Sequence, residues 1–305
     1  MNARAAAPIA HRPVSQRPVL ALGLRLMSAL ALGVLLSLVK ISGEMGLALP
    51  EVIFWRQLLP AVAILIWFAA RGELGRLRTH RLVIHGRRAL LGVANMAMLL
   101  ASARLLPLSE ATVLGFTCPL FAVILSALLL RERIGPYRWF AVALGLVGVV
   151  VIVGFGTSAM SPLGAVLGIG AAIGGALVAI QIRSLARTEE AITVVFWFSA
   201  FGTLILLPVV VLYGSAHTAT DWLMLCGISL AGLLTQFCAT AALRFGTVSS
   251  VMVMDYSQLF WAMLFGWLIF AHAPPASTWI GSPAIIGAGL IVAWREHRAR
   301  GTIVV

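Results

Sequence analysis

Charge is what this chain has least of. Only 10% of its 305 residues are charged, and ten acids stand against 22 lysines and arginines. A soluble domain carries about 25% charged residues because its surface faces water. So low a content excludes that class. Cysteine is scarce too. Cys118, Cys226 and Cys238 lie inside apolar runs at spacings that suit neither a metal nor a disulfide, and they read as small buried hydrophobes. The chain contains no G-x-x-x-x-G-K-S/T phosphate loop, no H-E-x-x-H and no G-x-S-x-G. That argues against an ATP-driven pump, a zinc peptidase and a serine hydrolase. The histidines (His11, His80, His85, His217, His272 and His297) scatter over loops and tails. An integral-membrane enzyme would gather such groups with acids near one interface, so no enzyme, cofactor or metal site is expected.

What fills the space is apolar. Hydrophobic residues make up 61% of the chain, and mean hydropathy is +1.03. A helix needs about 20 apolar residues to cross the hydrocarbon core. Ten runs qualify: 20–40, 51–70, 89–105, 109–130, 137–155, 162–182, 191–213, 221–243, 248–270 and 276–294. None alternates polar with apolar residues as the strand of a membrane barrel would. The fold class read here is an all-α membrane protein of ten transmembrane helices.

The net charge of +12 would suggest a nucleic-acid partner in a soluble protein. Here the cations collect between the runs, on one side. Arg4, Arg12 and Arg17 precede the first run; Arg71, Arg76, Arg78, Arg81, Arg87 and Arg88 follow the second. Arg131, Arg133, Arg138, Arg183, Arg187, Arg244, Arg295, Arg298 and Arg300 fall on the same side. Only Lys40 and Arg104 fall opposite. The positive-inside effect places that side, and both chain ends, in the cytoplasm. The N-terminal stretch lacks a small-residue cleavage site and reads as a retained tail. Membrane lipid headgroups, rather than nucleic acid, are the partner expected for the basic loop at 71–88.

The ten runs are two copies of five. Pro119-Leu120-Phe121 recurs as Gln258-Leu259-Phe260, and Gly148, Ile152 and Val153 recur as Gly287, Ile291 and Val292, at a spacing of 139. Val52 to Trp55 recurs as Val194 to Trp197, and Gly33 as Gly175, at a spacing of 142. The units run over 20–157 and 158–295, with short tails at 1–19 and 296–305. An odd number of crossings per unit means that the second copy enters the membrane from the opposite face. The charges agree: the six arginines of the 71–88 loop have no counterpart at 214–220. Inverted repeats of this kind are found in many secondary transporters.

The segment LPLSEATVLGFTCPLFAVILSALLLRERIG, followed by an apolar helix carrying Gly145 and Gly148, resembles the EamA branch of the drug/metabolite transporter superfamily. The resemblance covers nearly the whole chain, as two EamA-type units. It implies ten helices with both ends inside, a central cavity and alternating access, in a cell inner membrane. Family members carry amino acids, S-adenosylmethionine, riboflavin and other metabolites; the family's amino-acid exporters are the layout to compare first. The resemblance thus implies a small-molecule cargo, with amino acids the first choice and a larger metabolite the second. Glu132 matches an acidic residue common in the family, but the second copy has Ala271-His272 there. Glu132 therefore reads as part of a loop cluster with Arg131 and Arg133.

Polar residues inside spans are costly unless a cavity or a partner satisfies them, so they are the candidate site. The ninth run carries Asp255, Tyr256 and Gln258, with Trp261 a turn beyond. Asp255 lies about 10 Å from the inner face and Arg25 about 8 Å from it. The two readings for Asp255, cargo contact and a latch to Arg25, stand level. Arg56 lies about 8 Å from the outer face, either facing a cavity, where its guanidinium suits a carboxylate or phosphate, or snorkelling. Asn95, Thr117, Gln236 and Trp197 complete the expected binding set. Pro119 is the candidate hinge of the fourth span. The third, fourth, eighth and ninth spans are the expected cavity walls. Gly164, Gly168, Gly170 and Gly174 read as a helix-packing stripe, and Trp67, Trp139, Trp222, Trp279 and Trp294 as an interfacial belt.

Overall fold

The computed structural model describes residues 18–79, 81–129, 135–154, 161–185, 189–245 and 254–301. Those residues are almost wholly helical and contain no strand. The first repeat supplies α1 (Pro18–Glu44), α2 (Leu49–Ala70), α3 (Leu82–Leu105), α4 (Leu108–Gly115), α5 (Cys118–Leu129) and α6 (Pro136–Gly154). The second supplies α7 (Pro162–Leu185), α8 (Ala191–Tyr213), α9 (Ala219–Phe245), α10 (Ser257–Phe270) and α11 (Ala276–Gly301). Among the described residues six helices are long and apolar enough to cross a membrane, and four shorter apolar ones fill out the rest. Together they match the ten runs. Gln258 and Tyr256 belong to the ninth of these. Glu132 and its arginine neighbours lie outside the described residues.

Helix pairing carries the internal symmetry. α1 packs on α9 as α7 packs on α3, and α3 meets α8 as α9 meets α2. The pairs α2–α8 and α6–α11 map onto themselves when the repeats are exchanged. Such a pattern is that of a pseudo-two-fold axis in the membrane plane, as inverted repeats require. The α2–α8 contact sits on that axis.

The outer surfaces stay apolar. Leu65, Ile66, Trp67, Val211, Leu212, Trp267 and Leu268 are exposed, as are the belt residues Trp139, Trp222, Trp279 and Trp294. Apolar groups facing outward are at home in lipid, and a helix apolar on all sides is built for that setting. Packing between helices then falls to small residues. The α7 glycine stripe meets Leu106 through Gly164, Leu114 through Gly168, Met98 through Gly170 and Asn95 through Gly174, which is the packing role expected of it. Buried hydroxyls fold back on their own helix: Ser37 donates to the Gly33 carbonyl at 2.9 Å and Ser229 to that of Leu225 at 2.8 Å.

Both single-charge exceptions on the outer side have structural work. Arg104 donates to the Val39 and Leu47 carbonyls and to the Ser42 hydroxyl, at 3.1, 3.0 and 2.9 Å. It thereby ties the C-terminal end of α1 and the turn after it to α3, at a helix end whose dipole favours a cation. Lys40 donates to the Leu106 carbonyl at 2.8 Å and caps α3 in return.

The fourth span breaks. α4 ends at Gly115, Phe116 and Thr117 form a turn, and α5 begins at Cys118. Pro119 therefore lies in the first turn of α5, where its missing N–H is not needed, and the discontinuity belongs to Phe116 and Thr117 rather than to a proline kink. At the matching place in the ninth span a 3-10 turn covers Met254–Tyr256 and α10 starts at Ser257, 139 residues after Cys118. Broken helices are a recurring feature of transporters built from inverted repeats.

The α6–α11 seam closes on Gly148, where an added Cβ would lie 2.8 Å from the Gly281 carbonyl oxygen and 2.8 Å from the Ile285 side chain. Gly148→Ala is expected to cost about 1–3 kcal/mol through overpacking, read as a lowered thermal midpoint in detergent. Gly23→Ala, where nothing lies within 4 Å, should instead hold or raise the midpoint, because alanine favours helix by about 0.5–1 kcal/mol.

Candidate functional site

Where α2 crosses α8, two glycines replace side chains that would otherwise fill the seam. A Cβ on Gly202 would lie 2.6 Å from the Gln57 amide nitrogen, and one on Gly232 would lie 3.0 Å from Arg56 Nε. The space they free is a small cavity of about 20 Å³ lined by Arg56, Gln57, Pro60, Phe198, Ser199 and Gln236, among others. Its walls are α2, α8 and α9. Of the expected cavity walls, the third, fourth, eighth and ninth spans, it includes the eighth, which is α9, and α2 and α8 are repeat-mates.

The mates also contribute unlike chemistry. At the 142-residue spacing Arg56 corresponds to Phe198 and Gln57 to Ser199. Each of the first pair rests on a glycine of the neighbouring helix: Arg56 on Gly232, and Phe198 on Gly92, whose Cβ would lie 2.6 Å from the ring. One scaffold thus presents a cation on one side of the axis and an aromatic face on the other.

Arg56 is 8% exposed, so it faces inward and does not snorkel. Its Nη1 donates to the Met96 sulfur of α3, a weak acceptor. Its Nε has no partner, and neither has the Gln57 amide nitrogen beside it. Among the described residues no carboxylate pairs with Arg56. A guanidinium taken out of water without a counter-ion costs several kcal/mol. A cavity that holds one in this state is prepared for an anion.

The other expected site residues disperse. Asp255 takes a two-pronged contact from Arg25: Nε reaches Oδ1 and Nη2 reaches Oδ2, the latter at 2.6 Å. The latch geometry is thus present, tying α1 to the break in the ninth span. Thr117 is fully buried and donates to the Leu114 carbonyl at 2.6 Å, terminating α4 rather than facing a cavity. Asn95 packs against Gly174 and Gly175 of α7, with its Oδ1 unpartnered. Trp197 donates its indole N–H to the Leu77 carbonyl at 2.9 Å and stacks beside Phe201. It anchors the inner loop, so depth alone misjudged its direction. Trp261 stacks on Phe265 against Gly33 of α1. Gln258 is partly buried in the first turn of α10, and nothing places it at the pocket. The side chains of Tyr256 and Pro119 lie outside the described residues. Of the expected set, the pocket gathers Arg56 and Gln236.

Residues the sequence did not single out complete the picture. Gln57, Phe198 and Ser199 line the pocket; their signal was the repeat spacing, which makes them mates of pocket residues. Glu110, at the start of α4, is 2% exposed with Oε2 unpartnered, so Asp255 is not the sole buried acid of the spans. His85, expected in a loop, is fully buried in α3 with Nε2 3.8 Å from Glu189. At the same inner end Arg76 joins Glu73 at 2.9 Å and Glu190 at 2.8 Å, and Thr79 donates to Glu189 at 2.6 Å. Glu190 and then Glu73 push the Arg76 guanidinium further above its usual range by bonding its charged form. These contacts strap the loop after α2 to the start of α8.

Comparison with known proteins accords with this architecture. The EamA-like transporter family profile matches residues 19–154 and 162–294. A riboflavin transporter of Vibrio cholerae is 28% identical over 263 residues, 84% of this chain and 87% of that protein. A pseudopaline exporter of Pseudomonas aeruginosa is 27% identical over 270 residues, 87% of this chain and 93% of the other. An S-adenosylmethionine uptake transporter of Rickettsia felis is 28% identical over 251 residues, covering 82% and 84%. Two matched repeats, ten spans that pair about a two-fold and a polar pocket on the axis lead to one assignment: the chain belongs to the EamA-like transporter family of multi-pass membrane transporters.

Proposed function

We propose that this protein is an alternating-access carrier of the cell inner membrane, with both termini in the cytoplasm, for a small amphipathic metabolite that presents an anionic group to Arg56. The single observation that carries this reading is the buried Arg56 guanidinium, aimed into the α2–α8 pocket with no carboxylate paired to it among the described residues. Gln57 and Gln236 supply amide groups around it, and Phe198 offers an apolar wall. A guanidinium binds a carboxylate through two parallel hydrogen bonds. The bland alternative, a structural arginine, requires an acid or backbone partner, and the residues around Arg56 offer only a thioether.

Amino acids remain the first cargo to test, and export the first direction. The cavity of about 20 Å³ has room for about one water molecule in this conformation, so the seam must widen to admit any of these cargoes. S-adenosylmethionine brings a sulfonium cation toward Arg56. The larger cargoes stay as the second reading because relatives of similar identity are named for them. Asp255 then serves as the inner clasp: its pair with Arg25 holds α1 to the ninth span and must open when the cavity faces the cytoplasm.

Uptake into liposomes holding the purified protein tests this, with labelled amino acids, riboflavin and S-adenosylmethionine as the panel. Wild type is expected to accumulate at least one anion-bearing member, and Arg56→Gln to lower that uptake tenfold or more, a loss of about 1.4 kcal/mol or greater. Unchanged uptake by Arg56→Gln would remove the assignment. For the clasp, Arg25→Asp and Asp255→Arg are each expected to lower the thermal midpoint in detergent, and the double exchange to recover part of it. An additive double variant would show that the pair carries no coupling.

A further inference from the structure

A second arginine on the same seam has no assigned role. Arg88 lies on α3 about 9 Å from the start of that helix, within the cation-rich inner end, beside Arg87. Its neighbour is exposed; Arg88 is only 8% exposed. The guanidinium stacks over the Phe198 ring at 4.3 Å, and its Nε and Nη1 have no hydrogen-bond partner. Gly92 permits this approach, since a Cβ there would lie 2.5 Å from Nη1. Phe198 is also a wall of the Arg56 pocket. Two buried, unneutralised guanidiniums thus flank one aromatic ring.

Among the described residues no carboxylate pairs directly with either guanidinium. Glu51 accepts from the Ser215 N–H, Glu73 and Glu190 hold Arg76, Glu189 holds Thr79, Asp221 holds Thr218 and Asp255 holds Arg25. Glu44 and Glu110 lie in the field of Lys40 at the outer end. Nor does the fold demand a cation at this place. Gly92 and Gly232 occupy equivalent positions, 140 residues apart, and at that spacing Arg88 corresponds to Ile228, a fully buried apolar residue. The second repeat therefore builds the same helix contact with no charge.

We infer that the cargo carries two separated acidic groups, the first received by Arg56 and the second by Arg88, with Phe198 between them. This rests on the α2–α8 pocket being the cargo site, as proposed above. An uncompensated buried charge is costly, and two in one seam are matched by a ligand that brings two negative charges of its own. Arginine suits the task at both places, since its planar fork pairs with a carboxylate through two bonds. Arg88 and Phe198 lie at about the same depth, about 9 and 10 Å from the starts of α3 and α8, so the second acid meets Arg88 beside the Phe198 ring.

The test uses pairs of labelled compounds that differ by one carboxylate: glutamate with glutamine, aspartate with asparagine, and succinate with succinamate. Each is offered to liposomes holding the full-length protein. Wild type is expected to take up the diacid of at least one pair tenfold or more over its partner. Arg88→Gln should bring that ratio close to one. Arg88→Lys, which keeps the charge and loses the fork, should leave an intermediate ratio. Arg88→Ile copies the second repeat, so its detergent-solubilised form should unfold at or above the wild-type temperature, which separates loss of selectivity from loss of fold. A diacid preference that survives Arg88→Gln, or uptake with no preference, overturns the inference and leaves the Arg56 site standing. Uptake of no member of any pair by wild type, with Arg56-dependent uptake of riboflavin, overturns it likewise. No Arg56-dependent uptake of any compound overturns both.

Discussion

Arg56 sits in a seam where water is scarce and no carboxylate of the described residues pairs with it, and the arrangement around it follows from making that position tolerable. A buried cation needs neighbours that yield space, acceptors that soften its field and a route by which a counter-charge can arrive. Gly202 and Gly232 give the space, and Met96, Gln57 and Gln236 provide what polarity there is. The route is the two-fold between α2 and α8, the plane along which two five-span units part. A cation elsewhere in the bundle would need a permanent acid. Arg25 has Asp255 for this purpose, and Arg104 has the carbonyls at the end of α1.

The two repeats share a scaffold and divide the chemistry. Their helices pair in the same pattern, and α5 and α10 start at the same register, at Cys118 and Ser257. A break such as that of the fourth span is tolerated at membrane depth only where protein or a cavity, not lipid, surrounds it. Thr117 shows how the freed carbonyls are met, turning its hydroxyl back on α4. Within that shared frame the first repeat places Arg56 and Arg88, while the second answers with Phe198 and Ile228. Packing needs are met by either set. The cations are therefore there for something other than packing.

The closures at the two faces differ in kind. At one end of the bundle the loop after α2 is strapped to the start of α8 by Arg76, Thr79 and the Trp197 indole, and Arg25 clasps Asp255. At the opposite end Arg104 and Lys40 join α1 to α3 within one repeat. Surface ion pairs such as those of Arg76 contribute less than about 1 kcal/mol each, weak enough to open in a transport cycle. The exposed Arg76–Glu190 pair between the repeats is of that weak sort, while the Trp197 indole and the Ser102 hydroxyl each donate to a backbone carbonyl of the other repeat.

Ten apolar runs, their one-sided arginines and the two repeat spacings were legible in the sequence because hydrophobic length and charge count are one-dimensional quantities that a bilayer reads directly. Arg56 was legible too, as a lone charge in an apolar run. Direction was not. Trp197 and Thr117 lie at cavity depth yet turn to a loop carbonyl and to a helix end, and Arg88 was indistinguishable from Arg87 in a basic stretch although only one is buried. Which face of a helix meets the axis depends on how neighbouring helices are rotated and on where glycines let them close. Those are properties of pairs of distant segments, so only the tertiary structure decided which polar residues share the pocket and which merely hold it shut.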